Sequence, residues 1–313
     1  MVFLAVLPLL WLIVALSILK VPAWKACGVA AIISFIVAVV PFGKEAGIMA
    51  TGALEGVALA IWPILLVITS AIFTYNLVVR TGAMETIKTM LTSVSSDMRI
   101  LSLLLAWGFG AFMEGMAGFG TAVAIPAAMM VGLGFHPLKS ILACLVANSV
   151  PTTFGSIAIP TTTLATLTHL DSVGLGQFIA IQLFILNTLS PFFVVMIMGG
   201  GPKALKGVFM PTLISGLALS VPELLINMAM GPELSVIVPS AIIMGSIVVC
   251  AKIFKTDDPE YRVEAEVRQI SSSEGISATM PFILIFVLLI ITSKFFPFIN
   301  GPLSAFKTSV QIY

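Results

Sequence analysis

Glu114 is the residue of this chain best placed to do chemistry. It lies within the apolar stretch ILSLLLAWGFGAFMEGMAGFGTAVAIPAAMMVGLG, and Gly115, Gly118, Gly120 and Thr121 follow it closely. An ionisable group inside such a stretch is costly and points to function by default. An apolar setting disfavours the charged form of any carboxyl, which is the property a proton carrier needs. Two roles are open to Glu114: coupling to a proton or substrate, or capping nearby amides at a water-lined turn. A second polar interruption, in SILACLVANSVPTTFGSIAIPTTTLATLT, holds Asn148, Ser149, Pro151, Thr152, Thr153, Gly155 and Ser156. Asn148 either binds a ligand or satisfies backbone freed at the break.

The two interruptions echo one another. Phe119-Gly120-Thr121-Ala122-Val123-Ala124-Ile125-Pro126 resembles Phe154-Gly155-Ser156-Ile157-Ala158-Ile159-Pro160. Each reads as a glycine-bearing turn, a hydroxyl at a helix N-cap, and a helix with Pro in its early turns. A helix N-terminus offers unpaired N–H groups and partial positive charge, so it binds anions without a cationic side chain. Termini at Thr121 and Ser156 are expected to converge near the bilayer midplane, where transporters built from discontinuous helices place their sites. Lys139 is the only basic residue between Arg99 and Lys203. An anion here would depend on backbone dipoles and on the hydroxyls of Thr121, Thr152, Thr153 and Ser156, an arrangement suited to a small carboxylate that must also be released. The candidate binding residues are Gly118, Gly120, Thr121, Asn148, Thr152, Thr153 and Ser156, with Glu114 for proton coupling.

The elements that must position these groups are membrane helices. Hydrophobic residues make up 59% of the chain and charged residues 9%, against about 25% charged in a soluble domain. The net charge of +1 excludes a broad basic face for nucleic acid. Cys27, Cys144 and Cys250 lie in separate apolar runs and offer neither a disulfide framework nor a metal spacing. His136 and His169 are far apart, and no HExxH, GxSxG or GxxxxGK[ST] string supports an enzyme or a metal site.

Apolar runs cover Val2–Leu19, Lys25–Pro41, Met49–Val79, Ile100–Gly134, Pro137–Thr168, Gln177–Met198, Val208–Met230, Leu234–Ala251 and Pro281–Phe296. The expected fold is all-α and polytopic, with about eight spanning helices at about 20 residues per span plus a re-entrant hairpin. The first run reads as a spanning helix and not as a cleaved signal peptide. Met49–Val79 is longer than one span needs. Glu223, after Pro222, is a further candidate break, and Glu55 reads as a boundary residue. Halved at their polar centres, the stretches 100–134 and 137–168 give segments of about 13 residues, or about 20 Å, too short to cross a bilayer. Backbone that leaves a helix at that depth must be buried in protein or line a watery cavity.

Charge chooses between topologies. If 100–134 is a hairpin and 137–168 a broken helix that passes through, Lys20, Lys25, Arg80, Lys88, Arg99, Lys139, Lys203, Lys206, Lys252, Lys255, Arg262 and Arg268 share one side. Lys44, Lys294 and Lys307 take the other. The positive-inside rule makes the first side cytoplasmic and the N-terminus external. The expected organisation is a membrane transport unit over 1–251, a cytoplasmic linker over 252–280 that starts a helix near Asp257-Asp258-Pro259, and the start of a second membrane unit over 281–313.

The strings WGFGAFMEGMAGFGTAVAIPAAMMVGLGFHPLKS and ANSVPTTFGSIAIPTTTLA resemble the L-lactate permease family of bacterial transporters, and the likeness runs from about Leu9 to the linker near Ser277. The resemblance implies a multi-pass protein of the cell membrane that takes up lactate, glycolate and related 2-hydroxy acids by proton symport, with H⁺ as coupling ion and no cofactor. It also implies an inverted-repeat architecture, of which this chain holds one half. Family members are longer, with a second half supplying another hairpin and broken helix, so the chain is expected to be a fragment, a truncated gene product or half of a split protein, its partner then being a second half or a further copy in a homo-oligomer. The alternatives are a truncated, non-transporting membrane module or partner subunit, and an intramembrane enzyme, for which no nucleophile–base pair is visible.

Overall fold

The computed structural model describes residues 2–116, 118, 120–254, 258–263, 271–292 and 296–305. Among these the chain is helical, without a β-strand beyond one isolated bridge between Asp97 and Arg262. The described residues divide into two compact units, one ending at Leu66 and the other starting at Val67. The linker expected at 252–280 falls inside the second unit, and its residues 255–257 and 264–270 lie outside the described set, as do Lys294 and Lys307.

The first unit contains α1 (Val2–Ile13, wound on as a π-turn over Val14–Ile18), α2 (Ala23–Val39) and α3 (Ala46–Leu59). Trp11 Nε1 donates to the Ala26 carbonyl at 3.0 Å, tying α1 to α2. The long run 49–79 is broken at Trp62, whose φ/ψ of −135/115 is extended. The cause is local, because the proline that follows disfavours helical backbone in the residue before it.

The second unit begins with α4 (Leu66–Arg80) and the short α5 (Ala83–Thr92), followed by α6 (Met98–Met116). At 19 residues α6 is about 28 Å long, so the first arm is a full span and not the half-length segment expected from residue 100. It is started by Asp97, whose carboxylate accepts from the Arg99 amide at 2.8 Å. It is also 94% buried, and Leu103–Phe109 winds as a π-helix, a form frequent at functional sites. Next come α7 (Thr121–Gly132), α8 (Pro137–Ser149), a 3₁₀ turn at Pro151–Phe154 and α9 (Gly155–Thr168). The unit closes with α10 (Ser172–Gly199), α11 (Phe209–Ala229), α12 (Ile237–Ile253), α13 (Ser272–Thr292) and α14 (Pro297–Ala305).

Five described helices are long and apolar enough to cross a membrane, or six if α8 and α9, bent by 55°, are one span. The expected count of about eight was higher because it scored apolar runs. The helices near the N-terminus and α7 are only 10–17 residues long, short of a full hydrocarbon crossing.

Side-chain contacts fix the path of the chain. Arg99, at the start of α6, donates from Nη1 to the carbonyls of Ala204 and Lys206, both at 3.0 Å and both just beyond the C-terminal end of α10. Lys139, at the start of α8, reaches the Met198 carbonyl at that same end. The segment 98–134 therefore leaves and returns to one level, and α7 packs back along α6 with Pro126 and the Ala122 carbonyl against Gly110. By contrast, only three residues separate the end of α9 at Thr168 from Ser172, at the opposite end of α10. Residues 137–168 thus traverse the whole length of α10, about 42 Å for 28 residues.

Helices α10 and α11 turn apolar faces outward. On α10 Phe178, Ile181 and Ile185 are exposed, whereas Ala180, Asn187, Ser190 and Val194 are buried. On α11 Leu217, Val221, Leu225 and Met228 are exposed, and Thr212, Ser215, Gly216, Ser220, Glu223 and Asn227 are buried. Polar groups facing protein and apolar groups facing outward is the pattern a lipid solvent requires. Glu223 sits inside the continuous α11, so Pro222 does not create the break that was expected there.

The base of α6 is locked by the Arg99 guanidinium, which pairs with Asp97 through Nη2–Oδ2 at 2.7 Å and Nε–Oδ1 at 3.0 Å. It also lies 4.0 Å from the Tyr261 ring centroid and 3.8 Å from Asp258. Asp258 caps the turn Pro259–Tyr261, and the Val263 amide donates to the Ser96 carbonyl, so residues 258–263 of the linker are pinned to this base. Breaking a buried ion pair by removing one partner costs about 3–5 kcal/mol. Arg99→Leu is therefore expected to lower the thermal unfolding midpoint of the detergent-purified protein sharply, whereas Lys203→Leu leaves it near the parent value. An unchanged midpoint for Arg99→Leu would refute this role.

Candidate functional site

The two interruptions meet in space. Glu114 lies two residues from the end of α6 and is 3% exposed, with its carboxyl against Gly155 at the start of α9. A Cβ at Gly155 would overlap Glu114 Oε1, and one at Gly118 would overlap Ser156 Oγ. Each glycine therefore makes room for a polar group contributed by the other interruption. Asn148 and Thr152, at the end of α8 and in the turn after it, approach the Glu114 carboxyl closely enough to interact with it. Asn148 Nδ2 also donates to Thr152 Oγ1 at 3.2 Å, and Thr152 Oγ1 donates to the Asn148 carbonyl. Glu114 Oε2 and Asn148 Oδ1 remain buried without a hydrogen-bond partner among the described residues. Buried acceptors left unmet are rare and costly.

Local backbone explains why the chain can turn here. Gly118 and Gly120 adopt φ of +58° and +90°, a region open to glycine at little cost. Glu114 and Gly115 belong to α6 and not to the turn, so the break lies within the expected 114–121 interval but begins only after Met116. The N-cap position of α7 is Gly120, not Thr121. Thr121 instead turns both its amide (3.1 Å) and its hydroxyl (2.7 Å) back to the Gly118 carbonyl, so these two donors are already engaged. Phe119, the first residue of the sequence echo, lies outside the described residues.

Ser156 is not a helix N-cap either. Ser156, Ile157 and Ala158 have φ of 47°, 60° and 58° with left-handed ψ values. That conformation costs about 1–2 kcal/mol per non-glycine residue and is a genuine outlier for β-branched Ile157. Right-handed helix resumes only beyond Ala158, so the expected dipole end shifts to the region of Pro160 and Thr161. Thr161 Oγ1 donates to the Thr153 carbonyl at 2.8 Å, bridging the break. Backbone held in such regions clusters at ligand clamps and switch regions. Gly118 and Ser156 are buried, Thr121, Asn148 and Thr153 half-buried, and Gly120 and Thr152 exposed. The candidate residues thus range from the enclosed Glu114 out to an accessible rim.

A second polar group went largely unread in the sequence. Asn187 Nδ2 donates to Glu223 Oε1 at 2.9 Å, Asn227 Nδ2 donates to the Glu223 carbonyl at 3.0 Å, and Thr188 and Ser220 hydroxyls meet at 2.9 Å. Its signal is spacing: Thr212, Ser215, Gly216, Ser220, Glu223 and Asn227 recur every three or four residues, which places them on one helix face.

Fold and site together define a multi-pass helical membrane protein in which a buried carboxyl is enclosed by apposed breaks in the chain. The sequence matches the L-lactate permease family over residues 1–311, and the chain belongs to that family. It is 41% identical to an L-lactate permease of Streptococcus iniae over 310 residues, 99% of this chain and 65% of the relative. It is 35% identical to an L-lactate permease of Bacillus subtilis (strain 168) over 252 residues, 80% of this chain and 44% of the relative. With the glycolate permease GlcA of Escherichia coli (strain K12) the identity is 31% over 324 residues, 98% of this chain and 58% of the relative. The chain therefore spans roughly half to two thirds of the length of these relatives. No solved structure matches it.

The contact between Gly155 and Glu114 gives a double-mutant prediction. Gly155→Ala forces a Cβ into the carboxyl and should destabilise the purified protein by about 1–3 kcal/mol, the usual cost of overpacking. Glu114→Ala removes the obstructing group, so the double variant should recover most of that loss, a coupling read from thermal unfolding. Strict additivity of the two changes would show that the two groups do not touch.

Proposed function

We propose that this chain is the membrane-embedded part of a secondary active transporter that takes up lactate, glycolate and related small 2-hydroxy monocarboxylates by proton symport. The observation that carries this reading is the pair of unmet acceptors, Glu114 Oε2 and Asn148 Oδ1, where the two breaks meet. A proton on Glu114 turns one of these buried acceptors into a donor. It also removes a negative charge before an anionic substrate arrives. Two like charges about 4 Å apart repel by about 4 kcal/mol at an effective dielectric near 20. Lys139, the one basic side chain between Arg99 and Lys203, is engaged at the Met198 carbonyl. Protonation and substrate binding at this site are therefore linked, and linkage is reciprocal.

Thr153 offers a hydroxyl at the accessible rim for the substrate carboxylate; Thr121 and Thr152, whose hydroxyl protons go to the Gly118 and Asn148 carbonyls, offer lone pairs for the 2-hydroxyl, and Gly118, Gly120 and Ser156 shape the approach. The names of the relatives, lactate and glycolate permeases, support substrates of this size. Lys88, Arg99, Lys139 and Lys206 gather at one end of the second unit. That clustering supports a cytoplasmic placement of this end and of the linker, with the protein in the cell membrane and its N-terminus outside.

The test is uptake of labelled lactate and glycolate into liposomes holding the purified chain, with the outside made acidic. Accumulation that collapses on adding a protonophore is expected, and Glu114→Gln should abolish it while the protein stays in the membrane. Normal proton-driven accumulation by Glu114→Gln would refute the coupling role.

A further inference from the structure

Glu223 is a second buried carboxyl, and it takes no part in the proton coupling proposed at Glu114. Glu223 and its partner Asn187 are each 1% exposed. Asn187 Nδ2 donates to Glu223 Oε1 at 2.9 Å, whereas Glu223 Oε2 is buried without a hydrogen-bond partner among the described residues. The amide that serves Oε1 carries an unmet oxygen of its own, Asn187 Oδ1. Beside this pair the helices are in close contact: the Thr188 and Ser220 hydroxyls meet at 2.9 Å, and Gly216 lies against the Thr188 backbone.

An ionised Glu223 would be a lone charge. It is the one charged residue of α11, and α10 has none. On the other elements packed against this pair, the charged residues are Arg99 and Glu114 of α6, Lys139 of α8, Lys203 and Glu233 in the turns Pro202–Leu205 and Pro232–Leu234, and Lys252 in the last turn of α12. Among the described residues the ion pairs involve only Lys88 and Arg99 as cations, and none reaches Glu223. Arg99 and Lys139 are held at the Gly199 end of α10, which lies 12 residues (199 − 187) from Asn187, or about 18 Å along the helix. An uncompensated charge buried at membrane depth is strongly disfavoured. A proton removes that charge and needs only one oxygen, Oε2, with no set of ligands converging on a common point.

We propose that Glu223 is a second proton-binding site of this chain, with Oε2 protonated in the folded protein at neutral pH, so that a neutral carboxyl and the Asn187 amide clasp α10 to α11. The proton here is resident and not cycled, because the carboxyl lies between two unbroken helices, whereas Glu114 lies where two breaks meet. The site does not depend on the transport reading, because it is defined by protonation alone.

The experiment is infrared absorption of the purified chain in liposomes at neutral pH, since a protonated carboxyl has a C=O band apart from those of carboxylates and amides. In Glu114→Gln, which removes the other deeply buried carboxyl, such a band is expected to persist. Adding Glu223→Gln should abolish it, and adding Asn187→Leu, which removes the hydrogen-bond donor, should shift its frequency. Glu223→Gln keeps both the shape and the neutrality of the protonated side chain, so its thermal unfolding midpoint in detergent should stay within about 3 °C of the parent value. A carboxyl band that Glu223→Gln leaves unchanged, or no such band in Glu114→Gln, overturns the proposal. A larger fall in the Glu223→Gln midpoint also overturns it, by showing that the negative charge is required. Retained proton-driven uptake by Glu114→Gln would refute the transport reading without affecting the infrared result.

Discussion

A carboxyl at membrane depth cannot face lipid, and much of the second unit follows from that constraint. Glu114 needs a helix buried around its whole circumference, and α6 is such a helix, with every residue from Arg99 to Met116 buried. A central helix of this kind must be surrounded. The chain does so by turning back through α7, by crossing alongside as α8 and α9, and by laying α12 against the remaining side. The same interior is the only place where non-helical backbone can be tolerated at this depth. Both interruptions therefore fall where they can use it, and the carboxyl and the breaks share one enclosed polar region for one reason.

The energetics of that region are those of a held device, not of a relaxed turn. Three successive left-handed residues, Ser156 to Ala158, together cost about 3–6 kcal/mol, and two unmet acceptors add to the cost. The surroundings impose this arrangement: Gly118 and Gly155 allow close approach, Thr161 ties the far side of the break to Thr153, and buried packing along α6 fixes the carboxyl. Backbone strained in this way relaxes when its neighbours move, which is the property a site of alternating access needs. The opposite end of α6 shows the contrasting behaviour. Arg99 there engages Asp97, Ala204, Lys206, Asp258 and Tyr261, and nearly every donor is met.

Much of this was legible in the sequence because lipid is a demanding solvent. Apolar runs separated by clustered charge fixed the class, and the polar interruptions marked Glu114, Asn148 and Ser156, which the structure brings together. What stayed hidden was geometry that composition averages away. The pair Trp62-Pro63 breaks the long run 49–79, yet it is as apolar as its neighbours. The glycines after Glu114 suggested a turn at the carboxyl, whereas helix propagates to Met116 before backbone with positive φ takes over. Ser156 has the residue type of an N-cap but a left-handed backbone, which only the packing around it imposes. The stripe on α11 escaped notice because its small polar residues sit in a run whose mean hydropathy is high.

Two buried acidic groups on such different supports should respond differently to motion. Glu114 is held by the junction of two interruptions, so a shift of α7 or α9 changes its partners directly. Glu223 and Asn187 lie on helices that run unbroken through the same unit, and α10 and α11 approach closely enough for Gly216 to lie against the Thr188 backbone. Moving that pair apart would expose polar groups that have few other partners, so α10 and α11 are expected to travel as one body. The break, not the continuous pair, is then the part of the fold free to change shape. The end of α6 that carries Glu114 lies at that break.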